Sequence, residues 1–127
     1  MADTTNRLAG IAYLSVDGQK YMLSGDLAYS TASVSRGSLS GDDEVHGYSE
    51  KPRPPFISGT LRDAGNLTLQ SFNDMTNATI TLELANGKTV IGRNMWTVEA
   101  QEVKTTEGTF EVKWEGFSGS VTEQLAA

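Results

Sequence analysis

The sequence predicts a mainly β protein: an antiparallel β-sandwich or partly closed barrel with one short helix, about residues 67–75, and a long extended arm over residues 35–55. Three features carry that expectation. Apolar and polar side chains alternate with period two over residues 76–85 and again over 109–115. Two dipeptides of the kind that close hairpins, Asp17-Gly18 and Asn86-Gly87, sit between candidate strands. One polar stretch, SRGSLSGDDEVHGYSEKPRPP, interrupts this pattern; ordered loops beyond about 12–15 residues are usually functional or disordered.

In chain order, residues 8–16 and 19–23 flank Asp17-Gly18 as the first hairpin. Ile11 and Tyr13 fall on one face of its leading strand and Leu14 and Val16 on the other. A strand apolar on both faces is covered on both, either as a central strand or by a neighbouring subunit. A third strand spans 26–34 and leads into the arm. The arm holds too few apolar side chains to fold alone, so a partner surface is expected to order it. Pro52, Pro54 and Pro55 stiffen its exit into a strand over 56–62. Between 63 and 76, Leu69 and Phe72 stand three apart with Leu67 and Met75 further out, after the caps Asp63 and Asn66. That spacing predicts the short helix, although Leu67 and Leu69 also suit a strand.

The second half alternates more cleanly. Ala78, Ile80, Leu82 and Leu84 share one face, Asn86-Gly87 predicts a tight type I′ turn, and 88–93 is the return strand. A further strand over 95–103 puts Trp96, Val98 and Ala100 inward and Thr97, Glu99 and Gln101 outward. After a turn at 104–108, residues 109–115 place Phe110, Val112 and Trp114 inward. Residues 116–125 add a short edge strand.

Composition narrows the function. A chain of 127 residues fits one domain, 1–127. Sixteen acidic against ten basic residues give a net charge of −6, the wrong sign for gripping phosphate backbones. Without cysteine there are no disulfides, thiolate metal sites or cysteine nucleophiles. No apolar run approaches the roughly 20 residues of a membrane helix, and MADTTNR lacks the apolar segment of a signal peptide, so no membrane insertion is expected.

The inventory for catalysis is poor. The one histidine, His46, lies in the polar arm, and no serine sits in a nucleophile elbow. Asp42-Asp43-Glu44 with His46 lacks the spaced oxygen ligands of a calcium loop, and adjacent acids on an extended chain point to opposite sides. Trp96 and Trp114 fall on inward phases, which favours core packing over a sugar-stacking platform. No catalytic residue, cofactor or metal is therefore expected. A monomeric β-sandwich binding carbohydrate or another small ligand is the alternative, but it leaves the arm without a task. A small hydrolase lacks a nucleophile and base.

Three segments resemble the tail tube proteins of contractile-tailed phages of the Mu-like group. The arm's exit, GYSEKPRPPFISGTLRD, is similar to a family pattern carried here by Gly47, Tyr48, Glu50, Pro52, Pro55, Ile57, Leu61 and Asp63. NATITLELANGKTVIGRNMW matches an alternating strand, an Asn-Gly turn and Asn-x-Trp; EGTFEVKWEG matches the closing strand. In order and spacing the matches cover most of residues 8–122. The resemblance implies a structural virion protein whose six-membered rings stack into a hollow tube. It would be assembled in the host cytoplasm and located in the virion tail. Its implied partners are itself, a sheath outside, a tape measure protein and transiting double-stranded DNA inside, and baseplate and tail terminator proteins at the ends.

The resemblance makes residues 35–55 the arm that bridges rings. Asp42, Asp43 and Glu44 against Lys51 and Arg53 let one arm present both signs to a neighbour, with His46 and Glu50 between them. Tyr48 and Phe56 supply apolar anchors. Glu83, Glu99 and Gln101 are the expected lumen lining. At physiological salt a negative wall repels phosphates over about 8 Å.

Overall fold

The computed structural model describes residues 6, 8, 10–65, 67–99 and 101–125. Eleven strands and one short helix follow one another in these residues: β1 (Tyr13–Val16), β2 (Gln19–Tyr21), β3 (Leu23–Ser30), β4 (Val34–Ser40), β5 (Val45–Pro52), β6 (Phe56–Arg62), α1 (Leu69–Asn73), β7 (Ala78–Glu83), β8 (Thr89–Thr97), β9 (Val103–Lys104), β10 (Thr109–Glu115) and β11 (Val121–Gln124). Every pairing is antiparallel. The mainly β class with one short helix is as the sequence predicts, without a closed barrel.

The main sheet runs β2-β1-β7-β8-β10-β6-β3, with β11 beside β8 and β9 beside β10. Strand β8 serves both halves. Its first part pairs with β7 and β11, and its last two residues pair with β10. The change of partner follows a bulge: Ile80 faces Gly92, but Ala78 faces Met95, so β8 carries one extra residue there. Asn94 adopts φ +55° at this point, and asparagine tolerates the left-handed region better than most residues.

The bulge corrects the expected strand over 95–103. A period-two pattern shifts phase across an inserted residue, so Met95 is buried and Trp96 is not. Trp96 lies on the outer face, its ring 5.1 Å from that of Phe117 in an edge-to-face contact. Gly92 makes room for Met95, since a Cβ there would collide with the Met95 sulfur. The return strand and the following strand are thus one element, and β8 ends before Val98. Ala100, expected inward, lies outside the described residues.

Both predicted hairpins exist, with one change. Asp17 (φ +51°) and Gly18 (φ +87°) form the two-residue turn of the type I′ kind, and Val16 pairs with Gln19. Asp17 also holds both backbone groups of Thr79, its N–H donating to the Thr79 carbonyl at 2.8 Å and its carboxylate accepting from the Thr79 N–H at 2.9 Å. The second turn is not type I′. Gly87 N–H donates to Leu84 O and Leu84 N–H to Lys88 O, with a left-handed conformation at Gly87 alone (φ +90°). This is a three-residue loop, a type I turn closed by a glycine bulge.

The inner faces of the two halves pack on each other. Leu14, Val16, Ile80, Leu82 and Val90 meet Ile57, Leu61, Phe110, Val112 and Trp114 in one cluster, and the expected inward sets of β7 and β10 are buried as predicted. Helix α1 closes this core with Phe72, whose ring lies 5.2 Å from Tyr21, 5.1 Å from Phe110 and 6.5 Å from Trp114. Truncating a buried aromatic of this kind costs about 3–5 kcal/mol. The helix is shorter than predicted and its N-cap is Thr68. The expected cap Asp63 instead donates its N–H to Gly108 O at 2.8 Å, and Asn66 lies outside the described residues. The third strand begins earlier than expected and stops at Ser30.

Candidate assembly site

The arm is a β-hairpin, not an irregular extension. Strands β4 and β5 pair from Val34↔Pro52 to Ser40↔Val45 as a separate two-stranded sheet. Regular backbone pairing is what the apolar count of residues 35–55 failed to reveal. Every residue from 34 to 54 is exposed, so within one chain the body covers none of the hairpin beyond the approach of Arg53 to the Phe56 ring at its root. An isolated two-stranded hairpin is at best marginally stable in water.

Local chemistry shapes it from tip to root. At the tip Gly41 N–H donates to Glu44 O at 2.9 Å, and the His46 ring bonds the Asp43 carboxylate at 2.9 Å. That bond, with nearby backbone donors, holds the Asp43 carboxyl below its ordinary range. A Cβ at Gly41 would meet the His46 ring and the Asp43 carboxylate, so a larger residue there would displace this bonded pair. Midway, Arg36 pairs with Glu50 at 3.3 Å and lies over the Tyr48 ring at 5.6 Å. At the root, Arg53 N–H donates to Ser33 O at 2.9 Å, and Arg53 and Lys113 both approach the Phe56 ring, at 5.6 and 4.8 Å.

The register sorts the side chains by face, because cross-strand partners share one. Val34, Arg36, Ser38 and Ser40 share a face with Pro52, Glu50, Tyr48 and Val45; Ser35, Gly37 and Leu39 share the other with Lys51, Ser49 and Gly47. Val45 joins the Tyr48 face through the irregularity between Leu39 and Ser40. A bare alternation count along the arm misses this, and sequence reasoning did not single out Val34 or Val45. Of the expected arm residues, Asp42, Asp43, Glu44 and His46 gather at the tip and Tyr48 and Glu50 lie midway. Lys51 and Arg53 stand at the root; Phe56 begins β6 and is engaged with the body.

The expected lumen residues do not form one group. Glu83 ends β7 on its exposed face, and Glu99 is exposed in the loop after β8 with φ +62°. Gln101 is a correction: 6% exposed, it donates from its side-chain amide to the carbonyls of Val98 and Glu99, at 3.1 and 2.9 Å. Its backbone N–H donates to the Asn73 side chain. The strand that was to present it outward ends earlier, and Gln101 pins the loop to α1 instead. A hollow of about 460 Å³ lies beside it, lined by residues including Asp26, Ser58, Thr60, Glu99, Glu111 and Lys113. Among the described residues no group of three or more His, Cys, Asp or Glu is placed to hold a metal ion. No helix among them is long and apolar enough to cross a membrane.

A small antiparallel β body with a projecting, unsupported hairpin is the design of a structural module that works through contacts. The family model described as phage tail tube protein matches residues 5–121, and the chain belongs to that family. It is a structural protein of the virion tail and not an enzyme. No curated protein matches the chain. Among solved structures, it is similar to a chain described as "Cryo-EM Structure of an Extracellular Contractile Injection System, PVC sheath/tube terminator in extended state". The TM-score is 0.54 at 14% identity, covering 89% of this chain and 92% of that one. That likeness is one of fold.

Proposed function

We propose that copies of this chain form six-membered rings that stack into the hollow inner tube of a contractile tail, with the β4–β5 hairpin bridging one ring to the next. The observation that carries this reading is the hairpin itself: 34–54 is wholly exposed and 34–52 regularly paired, yet beyond the approach of Arg53 to Phe56 at its root it is not covered by its own chain. Docking on a neighbour supplies the burial it lacks. The exposed Ile11 and Tyr13, opposite the buried Leu14 and Val16 of β1, favour a subunit neighbour as the second cover expected for that segment. Head-to-tail contacts that do not close extend indefinitely, which lets one small chain build a long tube.

In this reading double-stranded DNA and a tape measure protein occupy the lumen, a sheath surrounds the tube, and baseplate and terminator proteins close its ends. Assembly takes place in the host cytoplasm. Glu83 and Glu99 are the proposed lumen carboxylates, keeping phosphates off the wall over about 8 Å. The test is negative-stain imaging of the purified protein after concentration. Rings or tubes are expected. A species that stays at 13.6 kDa at every concentration would favour the monomeric carbohydrate-binding module.

A further inference from the structure

The charges of the arm are separated along its length. The tip carries Asp42, Asp43 and Glu44, the root carries Lys51 and Arg53, and the one pair midway, Arg36 with Glu50, neutralises itself. Strand β4 is seven residues long, which at the usual rise separates tip from root by about 20 Å. That is more than two screening lengths at physiological salt, about 8 Å each. The tip and root of one arm therefore do not satisfy each other, and each is exposed to solvent.

Apolar residues accompany both ends. Val45, 67% exposed, follows the tip acids on the face that carries Tyr48, 62% exposed. Val34, 37% exposed, lies on the same face opposite Pro52, and Lys51, the neighbour of Pro52 along β5, projects from the other face of the ribbon. A second arm displaced by about one arm length brings its acidic tip beside the basic root of the first, while Val45 and Val34 lie on the Tyr48 face of their arms. Between the two ends, the Arg36–Glu50 pair places the guanidinium over the Tyr48 ring on this face.

We propose that the partner of the arm is the arm of a second copy, docked in a head-to-tail stagger with the tip of one hairpin against the root of the next. The inference rests on the reading of the arm as the inter-subunit element and adds its partner surface. In a stack whose copies all point the same way, opposite charge at the two ends fixes the register of neighbouring arms, because an unshifted pairing of such arms sets like charges together.

The test is a charge exchange. Asp42→Lys/Glu44→Lys keeps the Asp43–His46 bond, and Lys51→Glu/Arg53→Glu reverses the root; all four positions are exposed and outside the core. Each double variant is expected to raise the concentration needed for polymer, read by sedimentation, by about tenfold or more. The quadruple variant is expected to return to within about threefold of wild type, with thermal unfolding of the monomer checking that the body stays folded. A quadruple variant no better than either double, or doubles that polymerise as wild type, would overturn arm-on-arm docking. Deleting residues 34–53 separates the two readings. Loss of polymer on deletion without rescue by charge exchange removes only this inference, whereas polymer without the arm removes the bridging role as well.

Discussion

Glu123 lies on the row of β11 that includes the buried Val121, at the rim where the two halves of the sheet face each other. Tyr29 of β3 donates its hydroxyl to this carboxylate at 2.7 Å, and Lys88 pairs with it at 3.1 Å, so one side chain ties β3, β11 and the start of β8 together. The Tyr29 bond first, and Lys88 second, hold the Glu123 carboxyl below its ordinary value of 4.5; the same contact raises Tyr29 and Lys88. A carboxyl depressed on folding stabilises the native state above its unfolded pKa, and that contribution disappears as pH falls through the lower folded value. Glu123→Gln should therefore melt below wild type at neutral pH, with the gap constant down to about pH 5 and closing in more acid solution. A gap independent of pH between 3 and 6 would show that the ionised carboxylate has no part in it.

The elements differ in how far they could be read from sequence, and each difference has a local cause. Strands β7 and β10 were legible because one face is buried and no residue interrupts the alternation. Strand β8 was not, because the extra residue near Asn94 reverses the phase beyond it and turns Trp96 outward while Met95 goes in. Only the Asn-Met-Trp sequence hinted at a break, and asparagine alone does not announce a bulge. Gln101 was misread for a different reason: β8 ends at Thr97, and the loop beyond it turns Gln101 back onto α1. The arm's limits and charged residues were legible from composition, but its pairing is set by cross-strand register, and apolar content was the wrong guide to it. With nothing packed on it in the free chain, β4–β5 should open readily. Amide exchange over residues 36–50 should be fast in dilute monomer and slow in polymer. Strong protection of the monomer's arm would contradict this account.

For the molecule as a whole, packing and electrostatics are divided between two tasks. The buried cluster around Phe72, Trp114 and Ile80 holds the body together without cysteine or metal ligands among the described residues. Among the described residues no charged side chain is buried, so the net charge of −6 lies outside the core; in the proposed tube it would discourage phosphate binding. If Glu83 and Glu99 line the lumen, Glu83→Lys/Glu99→Lys should assemble normally and eject DNA poorly; unchanged infectivity would remove both from that role. Family membership ties the chain to the tail tube, whereas the part of the arm is an argument from its exposure, and the two separate in one comparison. The most direct measurement is electron microscopy of intact and arm-deleted protein, lacking residues 34–53, at matched high concentration. The account predicts stacked rings or tubes from the intact chain and no stacking from the deleted one. Tubes of ordinary length without the hairpin, or an intact chain that never associates, would contradict it.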